Sequence, residues 1–294
     1  MPLLKSEAAK LSNNDLLAGI IEEIIDVDQT FGILPFQRVN GKALVYNREK
    51  TISEGQFLDP NDTVPEGAST FDEITTKLRV LAGDVDVDKF IEETMSDRNS
   101  QRAIQIAEKV KGIGNKFRNE FINGDVSVNA KGFDGISRLA TATGNEVDGA
   151  GAAIDLGMLD ELVDGVPNGG AVLIMNRRTL RQVRALWRMA GGNTGGDMQM
   201  SNFGMVMPTH DGTPILVNDF IGVDGTTDQT SVYAARMNEV DGLHGLFGGE
   251  SAGIRIEDLG TVQNKDANRT RIKWYAGLAL KSTQSLAALR NAVV

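Results

Sequence analysis

The chain has 294 residues, 41% of them hydrophobic and 24% charged, an ordinary globular composition with length for two domains or one large one. With 40 acidic against 30 basic residues, its formal charge of −10 argues against a protein that grips nucleic acid through a basic face. The absence of cysteine excludes disulfides, thiolate metal sites and cysteine nucleophiles, and without a long apolar run or a signal-peptide core the expectation is a cytoplasmic origin and no membrane.

From Asn13 to Asp28, Leu16, Leu17, Ile20, Ile21, Ile24 and Ile25 recur at helical spacing behind Asn14 or Asp15 as N-cap, which predicts a first helix. Gly32, Pro35 and Gly41 then break regularity, while Phe31, Ile33, Leu34 and Phe36 pin the segment to a core. A short strand from Ala43 to Arg48 leads into a polar run holding Gly55, Pro60, Pro65 and Gly67, and a loop of this length usually serves a function or a partner. From Phe71 to Phe90 the pattern alternates, Val85 and Val87 opposing Asp84, Asp86 and Asp88, as one long strand or two collinear ones. With Ala43 to Arg48 it makes an extended hairpin whose outer part has little apolar surface. An isolated two-stranded ribbon is marginal in water, so the stabilising surface of this arm is expected on another subunit.

The strongest helix signal runs from Asp97 to Gly124, where Ile106, Val110, Ile113, Phe117 and Phe121 lie four, three, four and four apart on one face. Asp97 suits the N-cap and Gly124 a left-handed C-cap, and the helix would be roughly 40 Å long. Gly112 and Gly114 inside it mark a bend or the close approach of another backbone. A short strand and a turn follow, with Gly132 and Gly135, and Thr141 to Gly151 reads as a domain boundary. The second half alternates a helix from Ala153 to Asp164, a strand from Ala171 to Asn176, an arginine-rich helix from Arg177 to Ala190 and a mobile glycine-rich loop. Strands are predicted at Met205 to Pro208, Thr213 to Asn218, Ser231 to Met237, Gly253 to Asp258 and Thr270 to Thr283, giving an α+β half with helices beside a mixed sheet.

Few residues assemble into chemistry. Gly249 to Gly253 satisfies the nucleophile-elbow pattern around Ser251. That motif needs a helix after it where a strand is predicted, and His210 and His244 both precede the serine, against the hydrolase order. Asp84, Asp86 and Asp88 open like a calcium loop but meet Lys89 and Met95 where glycine and glutamate belong, so a solvated acidic strand face is expected. The two histidines have no acidic partners at ligand spacing, and Gly191, Gly192, Gly195 and Gly196 make neither a dinucleotide fingerprint nor a phosphate loop. Arg177, Arg178, Arg181, Arg184 and Arg188 form a basic stripe that suits either a phosphate or acidic neighbour or a solvated face with acids nearby.

In their order and spacing these pieces resemble the major capsid protein family of tailed bacteriophages, whose fold encapsulin shells share. The N-terminal helix, the hairpin arm, the long strand leading into a spine helix (Asp97 to Asn123), the Gly132 to Ile136 turn and the run from Glu161 to Leu186 carry the likeness, with Thr213 to Ile221 and Thr270 to Ala292. The resemblance implies an α+β capsid fold: an N-terminal segment (1–41), an arm (42–73), a peripheral domain (74–140) with a spine helix (97–123), an axial domain (141–255) and return strands to the peripheral domain (256–294). It implies a non-enzymatic shell protein without cofactor, packing as pentamers and hexamers of identical subunits into an icosahedral virion head that encloses double-stranded DNA non-specifically. Assembly in the host bacterial cytoplasm with a scaffolding protein and a portal would follow. Alternatives are an encapsulin-type compartment and a cytoplasmic serine hydrolase. Subunit-contact candidates are Arg48, Glu49, Lys50, Glu54 and Phe57 on the arm and Arg177, Arg181 and Arg184 on the basic helix. Some relatives crosslink a lysine to an asparagine on a neighbour; Lys42, Lys50 and Asn291 can be nominated, but no motif selects them. Only some dozen polar residues precede the first helix where many relatives carry a cleaved scaffolding segment, so either a separate scaffold or an already processed chain is expected.

Overall fold

The computed structural model describes residues 29–59, 63–64, 66–90, 93, 101–191, 197–199, 206–249 and 253–294. The helix expected from Asn13 to Asp28, the Asp97 cap and most of the glycine-rich loop lie outside these residues.

A short helix, α1 (Gln29–Ile33), brings Phe31 and Leu34 into the core and delivers the chain to β1 (Phe36–Val39). Strands β2 (Ala43–Thr51) and β3 (Thr70–Lys77) then pair antiparallel as a separate two-stranded ribbon, from Ala43 opposite Lys77 to Thr51 opposite Thr70. Of the two readings for residues 71 to 90, the interrupted one holds: β3 stops before Leu78, and β4 (Arg79–Asp88) leaves the ribbon for the first sheet. Leu78 makes the break because it turns inward beside Leu44 onto Val39, Leu246 and Ala279.

Helix α2 (Gln101–Asn123) is continuous, and all five stripe residues are buried. Phe117 sits 4.6 Å, ring centre to ring centre, from Trp274, with Phe31, Phe36 and Phe133 around them. Of the two alternatives for Gly112 and Gly114, the close approach of another backbone does not hold, since a Cβ on either would meet nothing within 4 Å. The C-cap expectation also fails: Gly124 is not left-handed but is required by space, a Cβ there falling 2.3 Å from the Phe133 carbonyl oxygen. The strand expected after the helix is instead a turn over 126–128 leading into α3 (Ile136–Thr143), because Asp125 and Asp134 side chains accept from the backbone amides of Ser127 and Val126 and fold the segment on itself.

Beyond β5 (Glu146–Asp148), helix α4 (Leu156–Asp164) starts where Asp155 caps the Met158 amide, later than Ala153. Strand β6 (Ala171–Met175) is wholly buried, as a strand covered on both faces requires. Helix α5 (Arg177–Met189) then carries the chain over to β9 (Thr213–Val217), parallel to β6, by way of β7 (Asp197–Gln199) and β8 (Val206–His210). Strand β10 (Gln229–Arg236) follows. Strand β11 (Leu243–Gly248) is not expected from its sequence, because Gly242, Gly245, Gly248 and Gly249 read as turn residues. Strands β12 (Ile254–Thr261) and β13 (Ala267–Leu280) complete a five-stranded sheet in which β13 pairs β4 along one edge and β12 then β11 along the other.

The final strand differs from expectation too. β13 ends at Leu280, a short helical turn at Thr283–Ser285 redirects the chain, and β14 (Leu286–Val293) enters the other sheet between β5 and β10. Ser282 makes the break by capping the Gln284 amide. The segment 256–294 therefore does not return as a whole to the sheet of β13. The seven-stranded second sheet buries both faces by alternation. Leu173, Met175, Val232 and Leu289 face a core with α4 and α5, while Val172, Ile174, Tyr233 and Leu286 face a core shared with α2 and the first sheet.

Candidate functional site

The arm is fixed at its foot and bare at its end. Tyr46 donates its hydroxyl to the Leu280 carbonyl at 2.6 Å, and Arg48 donates to the Leu280 carbonyl at 2.7 Å and the Lys281 carbonyl at 2.9 Å. Burial, opposed by the neighbouring Arg48 charge, pushes the Tyr46 phenol up from its ordinary pKa. These three bonds tie β2 to the end of β13. Sequence reasoning missed Tyr46; the signal available was an aromatic hydroxyl in a polar strand, a group that finds a partner when half-buried.

Outward from Arg48 the ribbon carries short polar side-chain contacts beside its backbone ladder. Lys50 reaches Asp72 at 3.2 Å, Thr51 shares a 2.6 Å bond with Thr70, and the Ser53 amide donates to Ser69. Ile52, Val64 and Phe71 are each more than half exposed, and Phe57 is fully exposed. Leaving a phenylalanine in water forgoes roughly 1.5–3 kcal/mol of burial. Four such side chains on one limb constitute a face awaiting cover.

The eight nominated contact residues therefore divide. Arg48 is half-buried and spends its guanidinium on its own chain, Lys50 pairs with Asp72 and Arg177 with Asp219 at 3.1 Å. Glu49, Glu54, Phe57, Arg181 and Arg184 are exposed. On α5 the hydrophobic side of Leu180, Val183 and Trp187 faces the sheet and turns the arginine stripe outward; Arg178 reaches Asp228 at 2.9 Å, and among the described residues no carboxylate pairs with Arg181 or Arg184. The fold does not gather arm and helix stripe into one site.

Ser251 lies outside the described residues, and soon after it the chain runs as strand β12, as its sequence predicts. His210 is buried and accepts from the Trp187 indole at its Nδ1 (3.3 Å) while its Nε2 lies 2.9 Å from an Asp160 carboxylate oxygen. Asp160, His210 and Asp211 stand close enough together to hold a cation. The indole can only donate, so Nδ1 must carry the lone pair and Nε2 the proton. That tautomer turns an N–H toward the place a metal would occupy. Asp84 and Asp86 form two-pronged pairs with Arg271 and Arg269 at 2.6–2.7 Å, and these bonds hold both carboxyls below their ordinary pKa. They are cross-strand pairs, not a calcium loop.

Comparison with known proteins agrees with this geometry. The model of a family described as the phage capsid family matches residues 10–289. Among solved structures, the chain is similar to the holo-SrpI encapsulin complex of Synechococcus elongatus, with a TM-score of 0.72 at 18% identity over 90% of this chain and 87% of that one. A native GTA particle capsid gives a TM-score of 0.65 at 14% identity over 90% and 89%, and Microbacterium phage Oxtober96 gives 0.64 at 13% identity over 90% of each. No curated protein matches.

Proposed function

The chain belongs to the phage capsid family, and from that premise we propose that it builds an icosahedral head of pentamers and hexamers around double-stranded DNA. It is a major capsid protein, a structural component of the virion shell. Its work lies in its interfaces; no catalysis, cofactor or membrane enters our reading. Head assembly takes place in the host bacterial cytoplasm, guided by a scaffolding protein and a portal. The acidic balance of −10 suits a wall that does not hold packaged DNA tightly.

The observation that carries this reading is the arm, tied to its own chain at Tyr46 and Arg48 yet exposing Ile52, Phe57 and Val64 beyond them. An identical neighbour supplies what one copy lacks, and closed symmetry repeats that contact around a ring. We further propose an arm over 42–73, a peripheral domain with the spine α2 over 74–140 and 256–280, and an axial domain over 141–255 that takes β14 with it. Electron microscopy of the expressed protein, alone and with its scaffold, tests the reading. Closed shells or capsomer rings are expected, a stable monomer under all conditions refutes it, and empty-of-DNA shells holding a protein cargo would make it an encapsulin-type compartment.

A further inference from the structure

A cavity of about 680 Å³ opens where β1 meets the foot of the arm, and it is lined by Arg38, Lys42, Lys77, Arg79 and Arg255. None of its described lining residues is acidic, and none of the five cations makes an ion pair among the described residues. Arg255 lies over the Tyr275 ring at 5.9 Å, and Gly249, at φ 92°, keeps the backbone clear of its guanidinium. Five cations gathered without an ion pair among the described residues, only Arg255 feeling an acid nearby, Glu257, in a chain with a net charge of −10, repel one another and attract an anionic group.

The other end of the arm has the opposite character. Between Thr51 and Ser69 the sequence carries Glu54, Asp59, Asp62 and Glu66 and no lysine or arginine. Glu54 and Glu66 are exposed. The ribbon is regularly paired from Ala43–Lys77 at its foot to Thr51–Thr70, eight residue steps that span about 26 Å at the rise of a strand. Glu54 and Glu66 lie three and four residues beyond that end, at most about 14 Å of chain, too short to return across the ribbon to the cradle of their own subunit.

We propose that the acidic arm tip of one subunit docks in the five-cation cradle at the foot of the next subunit's arm. This rests on the shell reading and gives it a direction. Tip to foot is a heterologous contact, the kind that closes into a ring when its rotation permits. The partner is a second copy and not nucleic acid, because the complementary charge lies on the same chain and the length of the arm forces it outward. Opposite charges in a recessed site fix register and speed encounter, and they weaken as salt shortens the screening length.

Charge exchange in the full-length chain tests this. Arg38→Glu with Lys42→Glu reverses the rim of the cradle, and Glu54→Lys with Glu66→Lys reverses the tip. Sedimentation of each pair should show assembled material reduced about tenfold against wild type, and the four substitutions together should restore most of it. An unchanged melting transition establishes that each variant is folded; should reversal unfold the chain, the neutral pair Arg38→Gln with Lys42→Gln serves, with a smaller loss expected. Normal assembly of the reversed cradle overturns the proposal, as does failure of the fourfold variant to recover. Cradle-reversed shells that form normally but lose nucleic acid would assign the cradle to phosphate and also overturn it. Absence of assembly in wild type is a separate result, which counts against the shell reading itself.

Discussion

His244 is buried completely in β11, its Nδ1 3.2 Å from the Gly242 carbonyl and its Nε2 without a partner among the described residues. Burial, helped by the nearby Lys281 charge, holds its pKa below the ordinary imidazole value. The unfolded chain therefore takes up a proton before the folded one does. Stability should fall as pH drops below about 6.5, at up to about 1.4 kcal/mol per pH unit, until the buried ring itself protonates. Denaturant unfolding between pH 7.5 and 5 should show this slope in wild type and lose the part due to His244 in His244→Asn; an unchanged slope would contradict it. Asp84 and Asp86 act in a different window. Their folded pKa values are depressed, so their contribution is complete above about pH 4 and is lost only as pH falls further. No acidic partner was legible for either histidine, yet the fold brings Asp160 and Asp211 to His210. Burial of His244 was not legible, because the glycines around it conceal a strand that forms only between β1 and β13.

The spine helix was legible because its stripe is local: residues three and four apart share a face whatever the rest of the chain does. What its glycines do depends on distant neighbours and was not legible. Gly112 and Gly114 touch nothing a methyl would strike, so Ala at either should raise stability by about 0.5–1 kcal/mol. Gly135 is the reverse case. A Cβ there falls 2.4 Å from the Glu120 carbonyl oxygen, 2.7 Å from the Gly124 amide and 2.8 Å from the Ile122 carbonyl oxygen, all backbone that cannot swing aside. Gly135→Ala should cost about 3 kcal/mol or abolish folding. Thermal melts of the three variants check both signs, and a Gly135→Ala protein as stable as wild type would show that the helix end tolerates displacement. The extra strand expected after α2 arose from alternating valines in a segment that Asp125 and Asp134 instead fold into turns.

Across the whole molecule, β14 binds the two sheets together, since it leaves β13 through a single short turn and pairs β10 in the other layer. A pattern of alternating apolar residues is the same in either sheet, so the sequence foretold a strand there and not its destination. The arm was legible for a different reason. Its polarity between Glu49 and Ser69 is a property of composition and survives any arrangement. Its foot was not, because the Tyr46 and Arg48 bonds reach residues more than 230 positions away. The central claim is that this limb contributes nothing its own subunit needs and is covered only by a copy. Replacing residues 49–71 with a two-residue Asn-Gly turn keeps the foot and joins Arg48 to Asp72, its partner across the ribbon. Analytical ultracentrifugation of that variant beside the full-length chain, under conditions where the full-length chain assembles, measures the claim directly. The account predicts a cooperatively melting monomer that forms no shells; shells of normal size from the armless chain, or loss of its cooperative melt, would contradict it.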